Sequence, residues 1–466
     1  MLAVHTLQYT VFDILIPLLP LYMTSAESIS YAYILRKSWP IILANAAVPL
    51  LGLVDTAVIG NVGTVADLGA IALGALIFSF AYWSFGFLRM GTTGFTAQAV
   101  GAGDEEEVRA VLGRSLLLGA TLGVFLILLQ WPISAIAFSL LSGGEQVESL
   151  AQQYFSIRIW GAPATLANFV LMGLLIGLGN SRQLLVVQLV LNGLNILLDV
   201  LFAGVLGWGV EGIALGTVIA EWSALFFAGT LIYRELARRN RRGGSFWPIA
   251  RIIDTTAIRN TLTANADIMI RTLLMIFSFG FFINQSAIYS GVVLAANHIL
   301  MQLISFAAFF LDGYAFVVEA LIGASIGARN RPLFDLAIKR STVLAAVSAL
   351  ILALLIWLFG EYVVALLTDL ETVRSAVGNM LLLAAIYVFV SFAAFQLDGI
   401  FIGASRTAQM RNAALMSAGL FLFAWWLLES RYGVSGLWWA MIIYVLARAA
   451  TLLIYFPALR ASVAKE

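Results

Sequence analysis

Between residues 38 and 458 the chain reads as long apolar runs separated by short polar breaks. A helix needs about 20 apolar residues to cross a bilayer. Twelve runs reach that length, at about 38–61, 68–99, 108–140, 150–178, 182–204, 210–234, 257–283, 288–323, 334–366, 372–403, 407–428 and 434–458. Several exceed it, which predicts helices that tilt or project into water. No gap between runs would hold a soluble domain. The pattern predicts an all-α polytopic membrane protein with twelve transmembrane helices.

Composition agrees. Of the 466 residues 62% are hydrophobic and 11% charged, whereas a soluble domain carries about 25% charged residues. The outer surface must therefore face lipid, which makes the bilayer itself a partner. A net charge of +1 suggests no nucleic-acid partner. The absence of cysteine excludes disulfides and thiolate chemistry. With only His5 and His298, a multi-histidine metal site is not expected, and neither is a cofactor.

The N-terminus stands apart. Residues 1–23 are broken by His5, Asp13, Pro17 and Pro20, and no Lys or Arg precedes Arg36. That fits neither a span nor a signal peptide. Our reading is that Met23 is the natural start and 1–22 an over-extended frame, the alternative being an interfacial helix. A chain starting at Met23 is expected to be fully active.

Lys and Arg fix the orientation. With the N-terminus inside, most of them fall in the inner segments or at the helix ends beside them, and only Arg374 and Arg431 fall at the outer side. Both termini are thus expected in the cytoplasm, and the helix count is expected to be even.

The chain also repeats. Phe87-x3-Gly91-x9-Gly101-Ala102 matches Phe309-x3-Gly313-x9-Gly323-Ala324. Gly173-x2-Ile176-Gly177-x5-Gln183 matches Gly399-x2-Ile402-Gly403-x5-Gln409, and Gly209-Val210-x-Gly212 matches Gly433-Val434-x-Gly436. Six spans per half make the repeat parallel, so two six-helix bundles would insert the same way up, a transporter layout. The predicted organisation is an extension 1–35, an N-lobe 36–234, a basic linker 235–256, a C-lobe 257–460 and a tail 461–466.

Intramembrane charges are costly and are functional candidates. Asp55 lies in the first helix. Asn195 and Asp199 lie one turn apart on the fifth, on a shared face. At about 1.5 Å per residue, Asp55 and Asp199 both sit roughly 8–9 Å below the outer boundary. Asn195 lies one turn deeper, level with Thr217 of the sixth helix. Two close carboxylates in a low dielectric share a proton near neutral pH, and hard oxygens can also ring a small cation. The repeat supplies a control: Phe421 and Trp425 stand where Asn195 and Asp199 would be. Pro49, six residues before Asp55, removes a helix hydrogen bond and permits a hinge. In the second half, Asp267 and Arg271 are spaced as a neutralising i, i+4 pair. Asp312, Glu319 and Asp398 add further acids, with Asp398 a candidate for the central cavity and Glu319 for a structural role. Arg89, Arg158, Arg271 and Arg448 are expected to pair with these acids.

The twelve-span layout together with PLLGLVDTAVIG (49–60), FGFLRMGTTGFTAQAVGAGD (85–104), NILLD (195–199), DIMIRT (267–272) and LDGIFIGASR (397–406) resembles the multidrug and toxic compound extrusion (MATE) family, in its DinF-like branch. The resemblance covers about 30–460. It implies a V-shaped pair of bundles, alternating access, and export of organic compounds, often cationic and lipophilic, in exchange for H⁺ or Na⁺. It places Asp55, Asn195, Asp199 and Thr217 at an N-lobe cation site, with Asn168 at a fourth-helix amide there, and Asp398 at a C-lobe coupling acid.

The expected function is a monomeric, proton-coupled multidrug antiporter of the bacterial inner membrane. A sodium site wants about five or six fixed oxygens, and this set is marginal, whereas a proton needs one carboxylate. Sodium coupling remains the alternative, as does a lipid-linked precursor flippase, although twelve spans and an acidic N-half argue against the latter. No HExxH motif appears, and acids that do not repeat as a symmetric ring between the two halves do not suit a channel.

Overall fold

The computed structural model describes residues 29–140, 144–240 and 245–463, apart from the side chains of 48–51 and 53. Residues 1–22 and the Met23 start lie outside the described residues.

Ser30 opens α1 (Tyr31–Val62) by accepting the Tyr33 N–H. A Thr64–Asp67 capping box starts α2 (Val65–Ser84). A break at Phe85–Gly86 leads into α3 (Phe87–Gly101), which completes the second span. The third span is α4 (Glu105–Leu128), continued by α5 (Gln130–Leu140). The fourth joins α6 (Glu145–Arg158) to α7 (Ala162–Gly177) through a 3₁₀ turn at Ile159–Gly161. The fifth is α8 (Ser181–Asp199), ending in a π turn at Val200–Val205, and the sixth is α9 (Gly209–Arg239). The linker holds one short helix, α10 (Ile249–Ile252). Four further helices follow, α11 (Thr255–Tyr289), α12 (Gly291–Gly327), α13 (Arg331–Leu367) and α14 (Glu371–Gly403). The last is α15 (Thr407–Ser462).

Ten helical stretches among the described residues are long and apolar enough to cross a membrane. One of them is α15, whose 56 residues break at Gly433 (φ 54°, ψ −130°), so it crosses twice. With α1 as a further crossing, the described residues form the twelve expected helices in two bundles. Large apolar side chains such as Leu350, Ile351, Leu354, Leu358 and Phe359 of α13 stay exposed and face lipid.

The repeat is visible in backbone hydrogen bonds. At the end of α3, Ala102 N bonds Gln98 O, Gly103 N bonds Val100 O and Asp104 N bonds Ala99 O. Ala328, Arg329 and Asn330 make the same three bonds at the end of α12. The ends of α7 (Leu178, Gly179, Asn180) and α14 (Ala404, Ser405, Arg406) repeat the pattern again. These are glycine-type helix ends, with left-handed backbone at Gly103, Arg329, Gly179 and Ser405. Gly209 and Gly433 also correspond, each at φ 54°. The turns correct one sequence match. Gly101 corresponds to Gly327, one helical turn beyond the Gly323 that the motif selects, because small residues recur every turn along α12.

The lobes meet at the linker end. α1 packs on α8 of its own lobe and on α12 of the other. A Cβ at Gly101 would strike the Ala324 carbonyl, and one at Gly327 would strike the Gln98 carbonyl, so α3 and α12 cross in a two-fold related contact. Gly94 is seated in the same way on the Ile402 carbonyl. Gln98 Nε2 donates across the lobes to Gly403 O and Ser405 Oγ, both at 3.0 Å. The linker is clamped to the N-lobe: Arg251 pairs with Asp104 at 2.7 Å, and Arg114 donates to the Arg251 carbonyl at 2.7 Å.

Candidate functional site

The N-lobe acids come together as the depth argument predicts. Asp199, the last residue of α8 before the π turn, is fully buried, and Asn195 one turn earlier is 1% exposed. The Asp55 carboxylate, on α1, lies close to that of Asp199. Gly216 of α9 makes this room: a Cβ there would lie 2.7 Å from Asp199 Oδ1. Asn195 Nδ2 donates to Thr217 Oγ1 (3.1 Å), and that hydroxyl donates to Ile213 O (2.9 Å). Asn168 of α7 donates to the Glu221 backbone carbonyl at 2.9 Å.

Every buried atom in this group that lacks a partner is an acceptor. No described donor reaches either oxygen of Asp199, Oδ1 of Asp55, or the side-chain carbonyls of Asn195 and Asn168. Buried oxygens are ordinarily satisfied, so this set suits a positive species. A proton between the carboxylates would satisfy both. Sodium would find the Asp199, Asp55, Asn195 and Asn168 oxygens free, but the Thr217 hydroxyl is already committed. Pro49 falls within α1, and its side chain lies outside the described residues.

Beside the acids sits a pair of which the sequence reading named one member: Arg158 was expected on an acid of the second half, and its partner is Glu221 of its own lobe. Arg158 of α6 binds Glu221 of α9 through two bonds of 2.8 and 2.5 Å, both side chains buried. Its guanidinium also lies 5.2 Å from the Phe78 ring and 5.4 Å from that of Tyr82. Glu221 carried a legible signal, a lone acid deep in the sixth apolar run.

Arg89, Arg271 and Arg448 each meet an acid of the C-lobe, as expected, but one pair differs. Asp267 does not pair with Arg271. It binds Arg411 at 2.7 Å and accepts the Thr407 hydroxyl at 3.0 Å. Arg271 instead joins Arg448 on Oδ2 of Asp398, so one carboxylate faces two guanidiniums. Residues four apart share a helix face, but that face points at neighbouring helices, whose charges offered better geometry. Glu319 pairs with Arg89 of α3 at 3.0 and 3.4 Å, across the two lobes, and the Phe316 ring covers the guanidinium at 3.9 Å. At the places equivalent to Asn195 and Asp199, Phe421 and Trp425 meet Phe281 edge-on at 5.7 and 4.8 Å.

Two parallel six-helix lobes with ionisable groups buried in each define a multi-pass membrane transporter, not an enzyme. The MatE family pattern matches residues 40–201 and 268–426. DNA damage-inducible protein F of Escherichia coli is 37% identical over 89% of each chain. The probable multidrug resistance protein NorM of Acinetobacter baylyi is 24% identical over 87% of this chain and 90% of its own. Among solved structures, the Vibrio cholerae MATE transporter VcmN superposes with a TM-score of 0.84 at 19% identity, covering 94% of this chain and 99% of that one. An outward-facing multidrug resistance MATE transporter of the MOP superfamily gives 0.81 at 21% identity, covering 93% and 96%. The chain belongs to the MatE family.

Proposed function

We propose that the protein exports organic compounds, lipophilic and often cationic, in exchange for protons. It works as a monomer in the bacterial inner membrane, with both termini and the linker in the cytoplasm. The multidrug resistance names of its NorM relatives support the substrate class. The bias of Lys and Arg towards the linker face supports the orientation.

The Asp55–Asp199 pair with its unsatisfied oxygens carries the coupling assignment. A proton entering from outside bridges the two carboxylates and removes their repulsion. Asn195, steadied by Thr217, and Asn168 line the pocket. α1 then bends near Pro49, and drug affinity falls on the outward side. The C-lobe acids already hold arginines, so Asp398, Asp267 and Glu319, with Arg271, act as fixed charges around the drug path and do not carry the ion. Sodium is the second reading, favoured by the free carbonyls of Asn195 and Asn168. Reconstituted vesicles with an inward pH gradient and no sodium should export a fluorescent drug. No export there, with robust export on a sodium gradient at constant pH, would replace the proton by sodium.

A further inference from the structure

One cavity stands apart from the coupling site. It lies at the linker end, with a volume of about 880 Å³, between α3 and the first turns of α11 and α15. Its size is that of a small-molecule site, about 300–1,000 Å³, but its chemistry is wrong for a lipophilic drug. Thr255, Thr256, Thr263, Ser405 and Thr407 present hydroxyls, and Asn260 and Gln409 present amides. Only Phe95, Ala264 and Ala408 are apolar.

The charge on the walls is positive. Arg259 and Arg406 both line the cavity, and neither makes an ion pair among the described residues. The one side-chain bond of Arg406 is to the Ser462 hydroxyl at 3.4 Å. The single acid on the walls, Asp267, is 3% exposed and already neutralised by Arg411. Asp254 lies just before Thr255, where its carboxylate is engaged at the start of α11, accepting the Ala257 N–H at 2.7 Å. Two free guanidiniums among hydroxyls and amides are a donor-rich surface that matches the oxygens of phosphate or carboxylate.

The cavity also reports on the arrangement of the lobes. Phe95 belongs to the N-lobe and the rest of the lining to the end of the linker and the C-lobe. Phe95 is held there by its neighbours, Gly94 against the Ile402 carbonyl and Gln98 on Gly403 and Ser405. Opening the molecule at the linker end removes that wall. A ligand that needs both walls stabilises the closed arrangement, since it binds one state and not the other.

We propose that this cavity binds a hydrophilic, phosphate-bearing anion from the linker side, and that its occupancy holds the lobes closed at that end. The assignment of that side to the cytosol rests on the orientation proposed above. Binding itself does not depend on proton coupling.

The test uses the full chain in nanodiscs of zwitterionic lipid, titrated calorimetrically with inorganic pyrophosphate. The wild type should bind and its melting midpoint should rise. Arg259→Gln/Arg406→Gln should lose at least about tenfold in affinity, the scale of about 1.4 kcal/mol. Arg259→Lys/Arg406→Lys should keep most of it, which separates loss of charge from misfolding. A second set of discs contains phosphatidylglycerol. Stabilisation there that needs both arginines, without pyrophosphate binding, would identify the phosphate as a lipid headgroup. No binding in either disc, or equal binding by the glutamine variant, overturns the proposal, while the vesicle experiment above would still stand.

Discussion

The Arg89–Glu319 pair is the clearest point at which charge is tied to movement, because its members belong to different lobes. Glu319→Gln leaves Arg89, 8% exposed, without its carboxylate. Breaking a buried pair from one side costs about 3–5 kcal/mol. The lower figure applies here, since Phe316 still covers the guanidinium at 3.9 Å and Asp312 shares that face of α12 two turns away. The cost falls on the arrangement closed at the linker end, where the two residues touch. About 3 kcal/mol therefore shifts the closed-to-open ratio by roughly 10²-fold. The chain has no cysteine, so one introduced thiol reports alone. Ser38 is 1% exposed with an unbonded hydroxyl, and its carbonyl lies against Gly313 of the other lobe. Maleimide should label Ser38→Cys slowly in the parent and about 10²-fold faster with Glu319→Gln added. Rates that agree within about threefold, under 1 kcal/mol, would show that the pair does not hold the lobes together.

Asp55→Asn and Asp199→Asn should each abolish drug export with expression unchanged; near-parental export by either variant, measured as drug resistance in cells, removes that residue from the coupling role. Glu221→Gln should cost about 3–5 kcal/mol by stranding Arg158, and Arg158→Met/Glu221→Leu should restore most of it, both read by thermal unfolding in detergent. At the linker clamp, burial opposes ionisation of Asp104, but the Arg251 hydrogen bond and the Glu107 and Glu106 N–H groups outweigh it and hold the carboxyl below the usual range. A depressed carboxyl contributes stability above its unfolded value, about 3.9, and loses it only as pH falls through the lower folded value. Tryptic cleavage in the linker, taken relative to an unstructured reference peptide at each pH, should thus be flat from pH 8 to 5 and should rise in Asp104→Asn; a relative rise between pH 8 and 5 in the parent would contradict the clamp.

The helices were legible because each must bury its backbone in lipid, which writes an apolar run into the sequence. The matched depths of Asp55 and Asp199 were legible for the same reason, since a helix converts residue count into distance. Breaks inside spans were not. Phe85–Gly86, the 3₁₀ turn at Ile159–Gly161 and the π turn after Asp199 hold no polar residue that would mark the break. Charge partners were the weakest part. Arg271 meets Asp398 and Arg411 meets Asp267 across more than a hundred residues of sequence. The i, i+4 rule sees only one helix, and in a bundle the competing partners lie on others.

The corresponding turns of the two lobes bear on how the protein is made. In the first half the left-handed positions are Gly103 and Gly179; in the second they are Arg329 and Ser405, both at φ 52°. A side chain there costs about 1–2 kcal/mol, so the earlier copy has relaxed turns and the later copy strained ones. Ser405 recovers part of that cost from Gln98, a residue of the other lobe. Synthesis proceeds from the N-terminus, and domains fold as they emerge. The half with the relaxed turns is thus inserted first, and the half whose Ser405 turn draws on Gln98 arrives when that support is already in place.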